Sequence, residues 1–283
     1  MSKTVWSEKP SDLHRVEPGF QLTDVDPGAT PGINATKRSG TALRLKQEGT
    51  LRDLQGKLFA DSTVGGTGSL LLVLQGMDTS GKGGIVTHSL AGMSASGVVV
   101  HGFKAPSPEE LKHGFLWRVR KRLPEPGMVG VFDRSHYEDV LAARVRHLAD
   151  PKTLDRRYRQ INTFEQQATD NGTTIIKVML QMSEEEQRRR LVARLRHESK
   201  LWKYNPSDVD DRELWRQLQE AYQIALERTS TDHAPWLVVP ADHKWYSRLA
   251  VQQIIIDKLL EFNLDWPEPD YDLAEERMRV AAT

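Results

Sequence analysis

The chain contains no cysteine, which excludes a disulfide framework, a thiol nucleophile and a thiolate metal site. Net charge is absent as well, because 39 Lys and Arg balance 39 Asp and Glu. Proteins that coat nucleic acid carry a basic excess, since their affinity comes from neutralising phosphates. No nucleic-acid partner is therefore expected, and any other polyanion must be met by a local patch. No stretch approaches the roughly 18 consecutive apolar residues of a membrane span, and the polar start lacks the apolar core of a secretory signal. A cytoplasmic protein with no membrane association is the expectation. Nine histidines are scattered without HExxH or similar ligand spacing, so dedicated zinc chemistry is not expected.

What is present is the patterning of an ordinary globular chain of 283 residues with 38% hydrophobic and 28% charged content. Residues 1–40 are rich in Pro, Gly and Asp and show no periodicity, which suggests an extended N-terminal arm. Leu43, Leu45, Leu51, Leu54 and Leu58 form a rough apolar stripe that predicts a helix from about Thr41 to Phe59. Ser69-Leu-Leu-Leu-Val-Leu-Gln75 is apolar without alternation, as in a strand buried on both faces of a parallel sheet. Similar runs recur at Val98-Val-Val100, Met128-Val-Gly-Val-Phe132, Thr174-Ile-Ile-Lys-Val-Met-Leu180 and Trp236-Leu-Val-Val239. Helix starts separate them: Ser107-Pro108-Glu109-Glu110, Asp150-Pro151 and Ser183-Glu-Glu-Glu186. Strands alternating with helices predict one doubly wound α/β domain over residues 41–283. A charged, helical insertion lies at about residues 183–233 and crowds Arg188, Arg189, Arg190, Arg194 and Arg196 together. It reads equally as a mobile lid or as a solvated helix face.

The first predicted strand runs directly into Gly76-Met77-Asp78-Thr79-Ser80-Gly81-Lys82, which fits G-x-x-x-x-G-K. Glycines at Gly76 and Gly81 let backbone N–H groups turn inward around phosphate oxygens, and the positive end of the following helix adds to them. Lys82 would place a charge beside a transferring phosphoryl group. Gly83 stands where a Ser or Thr hydroxyl ordinarily holds Mg²⁺, and Asp78 puts a carboxylate inside the loop. A metal ion between Asp78 and the phosphates would offset that repulsion. The loop suits phosphate with an unusual metal arrangement.

Asp133 follows the apolar run ending at Phe132, the Walker B position across the top of the sheet. Asp78 and Asp133 are thus the candidate ligands of one or two Mg²⁺ ions, and Arg134 adds positive charge beside them. From Lys104 to Arg122 six Lys or Arg stand against Glu109 and Glu110. Arg118 and Arg122, four apart on a predicted helix, would share a face and track a chain of phosphates. An exposed amphipathic helix is the alternative. Phe115 and Trp117 are the two Phe, Tyr or Trp residues among these charges, and they do not interleave with them, so base stacking on single-stranded nucleic acid is poorly supported.

Taken together, these segments resemble the polyphosphate kinase 2 family. The resemblance rests on Gly76-x-Asp78-x-x-Gly81-Lys82-Gly83-Gly84, Phe103-Lys104-Ala105-Pro106, Phe115-Leu116-Trp117-Arg118 and Asp133-Arg134-Ser135-His136-Tyr137-Glu138-Asp139-Val140-Leu141. Leu201-Trp202-Lys203-Tyr204-Asn205-Pro206, Ala234-Pro235-Trp236 and Val239-Pro240-Ala241-Asp242-x-Lys244-Trp245-Tyr246 extend it, and Pro18-Gly19-Phe20 carries it into the arm. It implies a P-loop kinase-like three-layer α/β sandwich with a five-stranded parallel sheet and a helical lid. The implied activity is reversible transfer of the terminal phosphate of inorganic polyphosphate to ADP or AMP, with GDP a further acceptor. Mg²⁺ is the implied cofactor, with Mn²⁺ able to substitute, and the implied assembly is a homodimer or homotetramer.

Carried over by position, Asp78 and Asp133 are the catalytic, metal-binding acids, with Lys82 and Arg134 beside them. Gly76, Gly81, Gly83, Gly84, Lys104, Arg118 and Arg122 become the phosphate and polyphosphate contacts. Glu138, Arg194, Trp202 and Lys203 face the nucleotide or belong to the lid. Tyr137-Glu138 resembles the subgroup that phosphorylates AMP as well as ADP, whereas a subgroup favouring diphosphates has Asn in place of the Glu. The expected chemistry is direct, in-line transfer, which needs positioning and charge neutralisation more than covalent help. A phospho-histidine relay through His136 is the mechanistic alternative. An ATP-dependent P-loop nucleotide or small-molecule kinase and a non-catalytic polyanion-binding module are the functional ones.

Overall fold

The structure, a computed structural model, describes residues 5–283. All five predicted strands form, as one parallel sheet: β1 (Ser69–Gln75), β2 (Val98–Gly102), β3 (Val129–Asp133), β4 (Thr173–Gln181) and β5 (Trp236–Pro240). Their order is β2-β3-β1-β4-β5. Every residue of β1 is buried, which its unbroken apolar run requires of a central strand covered on both faces. Helices Lys37–Lys46, Glu48–Thr63 and Lys82–Ser89 pack with the long helix Lys244–Glu261 on one side. Helices Pro151–Asp170 and Trp215–Thr229 pack together, the former against β4, giving the outer layers of an α/β sandwich.

Register decides where the site falls. β1 and β3 are neighbours with Leu74 opposite Asp133. The chain leaves β1 toward β2 but leaves β3 toward β4, so a crevice opens beyond their carboxyl ends. The phosphate loop and Asp133 meet at that crevice.

Local signals set most helix starts. Ser183 accepts a hydrogen bond from Glu186 N at 3.1 Å, and Asp150 accepts one from Thr153 N at 2.9 Å. The first predicted helix begins earlier than its apolar stripe, because Thr36 and Ser39 form a reciprocal capping box. It is also two helices, Lys37–Lys46 and Glu48–Thr63, meeting at Gln47.

The segment after β2 corrects the predicted basic helix. Ser107 and Glu110 do form a capping box, with Ser107 N donating to Glu110 Oε2 at 2.8 Å. Only a 3₁₀ turn, Glu110–Lys112, follows it. His113 is extended, and a second short helix spans Trp117–Arg120. Arg118 is buried while Arg122 lies exposed beyond that helix, so the two do not form a common face.

Within residues 5–36 a short stretch borders the β5 edge of the sheet. Val238 N donates to His14 O at 2.8 Å and Val16 N to Trp236 O at 2.9 Å, pairing this stretch antiparallel with β5. Trp6, Val16, Leu22 and Ile33 are buried in the core. Tyr246 Oη lies 2.8 Å from His14 Nε2 and donates to Pro31 O at 2.8 Å. Among the described residues no helix is long and apolar enough to cross a membrane.

Candidate active site

Gly76 follows β1 with φ 143, and a Cβ there would lie 2.8 Å from both Leu180 O and Ser80 Oγ. Only glycine suits that combination of backbone and space. Gly81, at φ 119, turns the chain into helix Lys82–Ser89. Lys82 is buried, and its Nζ donates to Gly76 O at 2.7 Å, so the ammonium bridges the loop it belongs to. Burial lowers the Lys82 pKa from its ordinary value, and the carboxylate of Asp78 works against that shift.

Arg134 follows Asp133 in the left-handed conformation, φ 64. That turn aims its guanidinium at the loop, where Nη2 meets Asp78 Oδ1 at 2.6 Å. Burial pushes the Asp78 carboxyl up, but Lys82 and Arg134 outweigh it and hold its pKa below the usual value. The next residues form a 3₁₀ turn, His136–Asp139, started by Ser135 Oγ accepting from Tyr137 N at 3.2 Å. A buried network anchors the turn from below. Glu165 Oε1 accepts from Tyr137 Oη at 2.8 Å, and Lys177 Nζ reaches Glu165 Oε2 and Thr229 O, both at 2.6 Å. Burial favours a neutral Glu165, yet Lys177 and His136 bring its pKa below the ordinary value. His136 is fully buried with Nε2 3.3 Å from Glu165, turned away from the loop, which removes it as a phosphate relay.

A cavity of about 800 Å³ opens over the phosphate loop. Asp78, Gly81, Lys82, Gly83, Gly84, Asp133 and Arg134 line its floor. Arg194, Trp202 and Lys203 reach it from the helices between β4 and β5. Gly76 and Glu138 lie instead on a smaller cavity of about 120 Å³ on the far side of the loop, with Asp78 and Arg134 shared by both. Burial raises the pKa of the Glu138 carboxyl. Lys104, Arg118 and Arg122 line neither cavity. Arg118 Nη1 donates to Lys104 O at 2.8 Å, and its guanidinium lies 3.6 Å from Asp139, so this arginine is engaged in holding the loop after β2.

The structure adds side chains that the sequence reading left out. Arg189, Arg190, Lys200, Lys244 and Arg248 all line the larger cavity. With Lys82, Arg134, Arg194 and Lys203 they bring nine Lys or Arg against two carboxylates, which makes the cavity a receptor for an anion of high charge. Lys244 and Arg248 had a readable signal, because they sit four apart at the start of the helix after β5. Burial among Arg190 and Arg248 brings the Lys244 pKa down to about 8.

The same donor set answers the question of a metal. Among the described residues no cluster of three His, Asp or Glu side chains converges. Two carboxylates, Asp78 and Asp133, share a wall of the cavity. That suits Mg²⁺, which keeps several waters and is held by one or two carboxylates together with substrate phosphates. It does not suit a metal requiring a complete protein cage.

A sheet whose central strand ends in a lysine-bearing phosphate loop, roofed by helices between its last two strands, is that of a P-loop kinase. The sequence narrows the class. Residues 35–265 match the polyphosphate kinase 2 family, and the chain belongs to it. It is 39% identical over 259 residues to the AMP/ADP-polyphosphate phosphotransferase of Meiothermus ruber, covering 91% of this chain and 96% of that protein. It is 38% identical over 266 residues to the ADP-polyphosphate phosphotransferase of Rhodopseudomonas palustris, covering 90% and 89% respectively. The crystal structure of polyphosphate kinase 2 from Arthrobacter aurescens TC1 superposes with a TM-score of 0.97 at 50% identity over the whole of both chains.

Proposed function

We propose that this enzyme transfers the terminal phosphoryl group of inorganic polyphosphate to ADP and AMP, reversibly. The observation that carries this is the cation-lined cavity, in which nine Lys or Arg side chains surround a phosphate loop and its two carboxylates. An ATP donor presents three phosphates, whereas nine cations gathered around one loop suit a longer phosphate chain.

Lys82 and the loop N–H groups hold the transferring phosphoryl group, and Arg134 neutralises charge on the same oxygens. Asp78 orients the attacking phosphate oxygen of the acceptor. The acceptor nucleotide shares the larger cavity with the phosphate chain; the smaller one, about 120 Å³, is too small for a nucleoside and sets Glu138 beside Asp78 and Arg134. Asp78 and Asp133 would hold Mg²⁺, or Mn²⁺ in its place, which when bound offsets the charge of the phosphates. The insertion at about 183–233 acts as the lid, with Arg194, Trp202 and Lys203 closing over the phosphates and nucleotide. Arg118 serves by fixing the loop that presents the exposed Lys104, and Arg122 is a contact for the outlying polyphosphate chain.

The domain reading is an N-terminal arm and a single P-loop kinase-like unit, with their boundary moved from residue 40 to Thr36, where helix Lys37–Lys46 begins. A homodimer or homotetramer is proposed, supported by uncovered apolar side chains. Val99 and Val100 on β2 are 51% and 48% exposed, and helix Leu273–Ala281 buries no residue. A cytoplasmic location fits the nucleotide substrates.

The test is purified enzyme with long-chain polyphosphate, Mg²⁺ and AMP, ADP or GDP, with ATP or GTP measured as product. New nucleoside triphosphate from ADP supports the proposal. Turnover with ATP as donor and none with polyphosphate would replace it with an ATP-dependent kinase.

A further inference from the structure

Arg190 lines the large cavity, and its place among so many cations suggests another phosphate contact. Its hydrogen bonds say otherwise. A guanidinium has five N–H donors, and each of the five here has a protein acceptor. Nε donates to Glu186 Oε1 at 2.6 Å. Nη1 donates to Thr79 O at 2.9 Å and Ser80 O at 2.8 Å, both carbonyls of the phosphate loop. Nη2 donates to Ala241 O at 2.5 Å and Asp242 O at 3.0 Å, in the turn after β5. The side chain is 4% exposed. No donor is left for a ligand.

Gln187, one turn earlier on the same helix, completes the contact. It is fully buried, and its Nε2 donates to Asp78 O at 3.1 Å while its Oε1 accepts from Arg212 at 2.9 Å. Helix Glu184–Leu195 thus binds three consecutive carbonyls of the phosphate loop, Asp78, Thr79 and Ser80. A peptide unit is planar, so fixing its carbonyl direction restricts its N–H direction too. Thr79 is held at φ 67, a conformation a threonine seldom adopts without such support.

We infer that Arg190, with Gln187, is a positioning residue that clamps the outer carbonyls of the phosphate loop so that its N–H groups stay aimed at the transferring phosphoryl group. The inference rests on the proposed phosphotransfer at this loop. It also divides the insertion between β4 and β5. The root of helix Glu184–Leu195 is fastened to the loop and to the turn after β5, and closure over substrate belongs to the segments beyond Leu195. Arg194, one turn along, makes no bond to the loop; its Nη1 reaches Lys203 O and Asp208 Oδ2, both at 3.0 Å.

The experiment compares wild type, Arg190→Lys and Gln187→Met. Steady-state kinetics with polyphosphate, Mg²⁺ and ADP are paired with amide hydrogen exchange over residues 76–84 in the substrate-free enzyme. Lysine keeps the charge but has three donors on a compact head, so it cannot span both pairs of carbonyls. Arg190→Lys should lose kcat by roughly 10²-fold, as expected for a displaced reacting geometry. Its KM for polyphosphate should move by less than about threefold, because the interaction lost is one of the transition state. Exchange over 76–84 should be faster, and Gln187→Met should shift both readouts the same way by less. A raised KM with kcat preserved would overturn the clamp, since that marks an ordinary phosphate ligand. Unchanged kcat and unchanged exchange would overturn it as well. If Arg190→Lys does not fold, wild-type kcat and exchange in Gln187→Met are sufficient to reject the clamp. Failure of the phosphotransfer reading shows separately, as wild-type enzyme that makes no nucleoside triphosphate, and the exchange comparison does not depend on turnover.

Discussion

Arg134 and Asp78 face one another across the phosphate loop, Nη2 to Oδ1 at 2.6 Å, although 56 residues separate them in the chain. The pair couples the end of β3 to the loop after β1. It also keeps the carboxylate ionised in a partly buried place, since Lys82 and Arg134 more than offset the desolvation of Asp78.

Asp78→Asn keeps the shape of that side chain and removes its charge. Turnover should fall by roughly 10² or more, the usual scale for losing one preorganised electrostatic group. Asp133→Asn should fall comparably. Product formation from ADP and polyphosphate measures both, and wild-type rates in either variant would remove that acid from the mechanism.

Lys244 sets a pH limit. With its pKa brought down to about 8, it is a cation below that pH and neutral above it. The cavity therefore loses one positive charge as pH rises through about 8, and KM for polyphosphate should climb across that window. Lys244→Arg keeps its charge throughout and should flatten the rise. Equal pH profiles for the two enzymes would show that Lys244 does not face the phosphate chain. For stability of the substrate-free protein the sign is opposite. A lysine whose folded pKa is lowered disfavours the folded state while charged, and that penalty fades as pH rises above about 8.

Removing one member of the Glu165–Lys177 pair should be severe. Both side chains are buried and separated by 2.6 Å. Lys177→Met leaves an uncompensated carboxylate in the core and should cost about 3–5 kcal/mol, read from urea unfolding. Adding Glu165→Leu to that variant should recover part of the loss. A double variant less stable than Lys177→Met would show that the network contributes through Tyr137 and Thr229 more than through charge.

Gly76→Ala is a substitution by one methyl group. The backbone there is left-handed and the added carbon would sit 2.8 Å from Leu180 O. A cost of order 1–3 kcal/mol in stability is expected for the strained backbone, with phosphate-loop activity lost alongside. A melting temperature equal to wild type would mean that the loop relaxes around it.

The sheet was legible because five largely apolar runs leave few other uses for themselves, although Lys177 interrupts β4 and Val99 and Val100 of β2 prove half exposed. Gly76, Lys82 and Asp133 were legible because short spacing and strand ends define them. The basic stretch from Lys104 to Arg122 misled, since periodicity alone gives no weight to the extended residue at His113 that breaks the helix. The cations at Lys244 and Arg248 reach the site through the order of strands, which places the helix after β5 beside the phosphate loop. Arg190 stood in a run of arginines that reads equally as a mobile lid or as a solvated helix face. Only its five acceptors, drawn from three separate stretches of chain, distinguish it from Arg188, which pairs with Glu185 on the solvent side.

The backbone of residues 14–16 occupies the rim of β5 that would otherwise present unpaired N–H and C=O groups. The match to the family as a whole begins at residue 35, although individual relatives align further toward the N-terminus. A fragment cut to that boundary would therefore discard a piece of the sheet itself. Its bare rim would invite sideways association between molecules, so poor solubility of such a fragment would reflect the missing strap and not an unstable catalytic core.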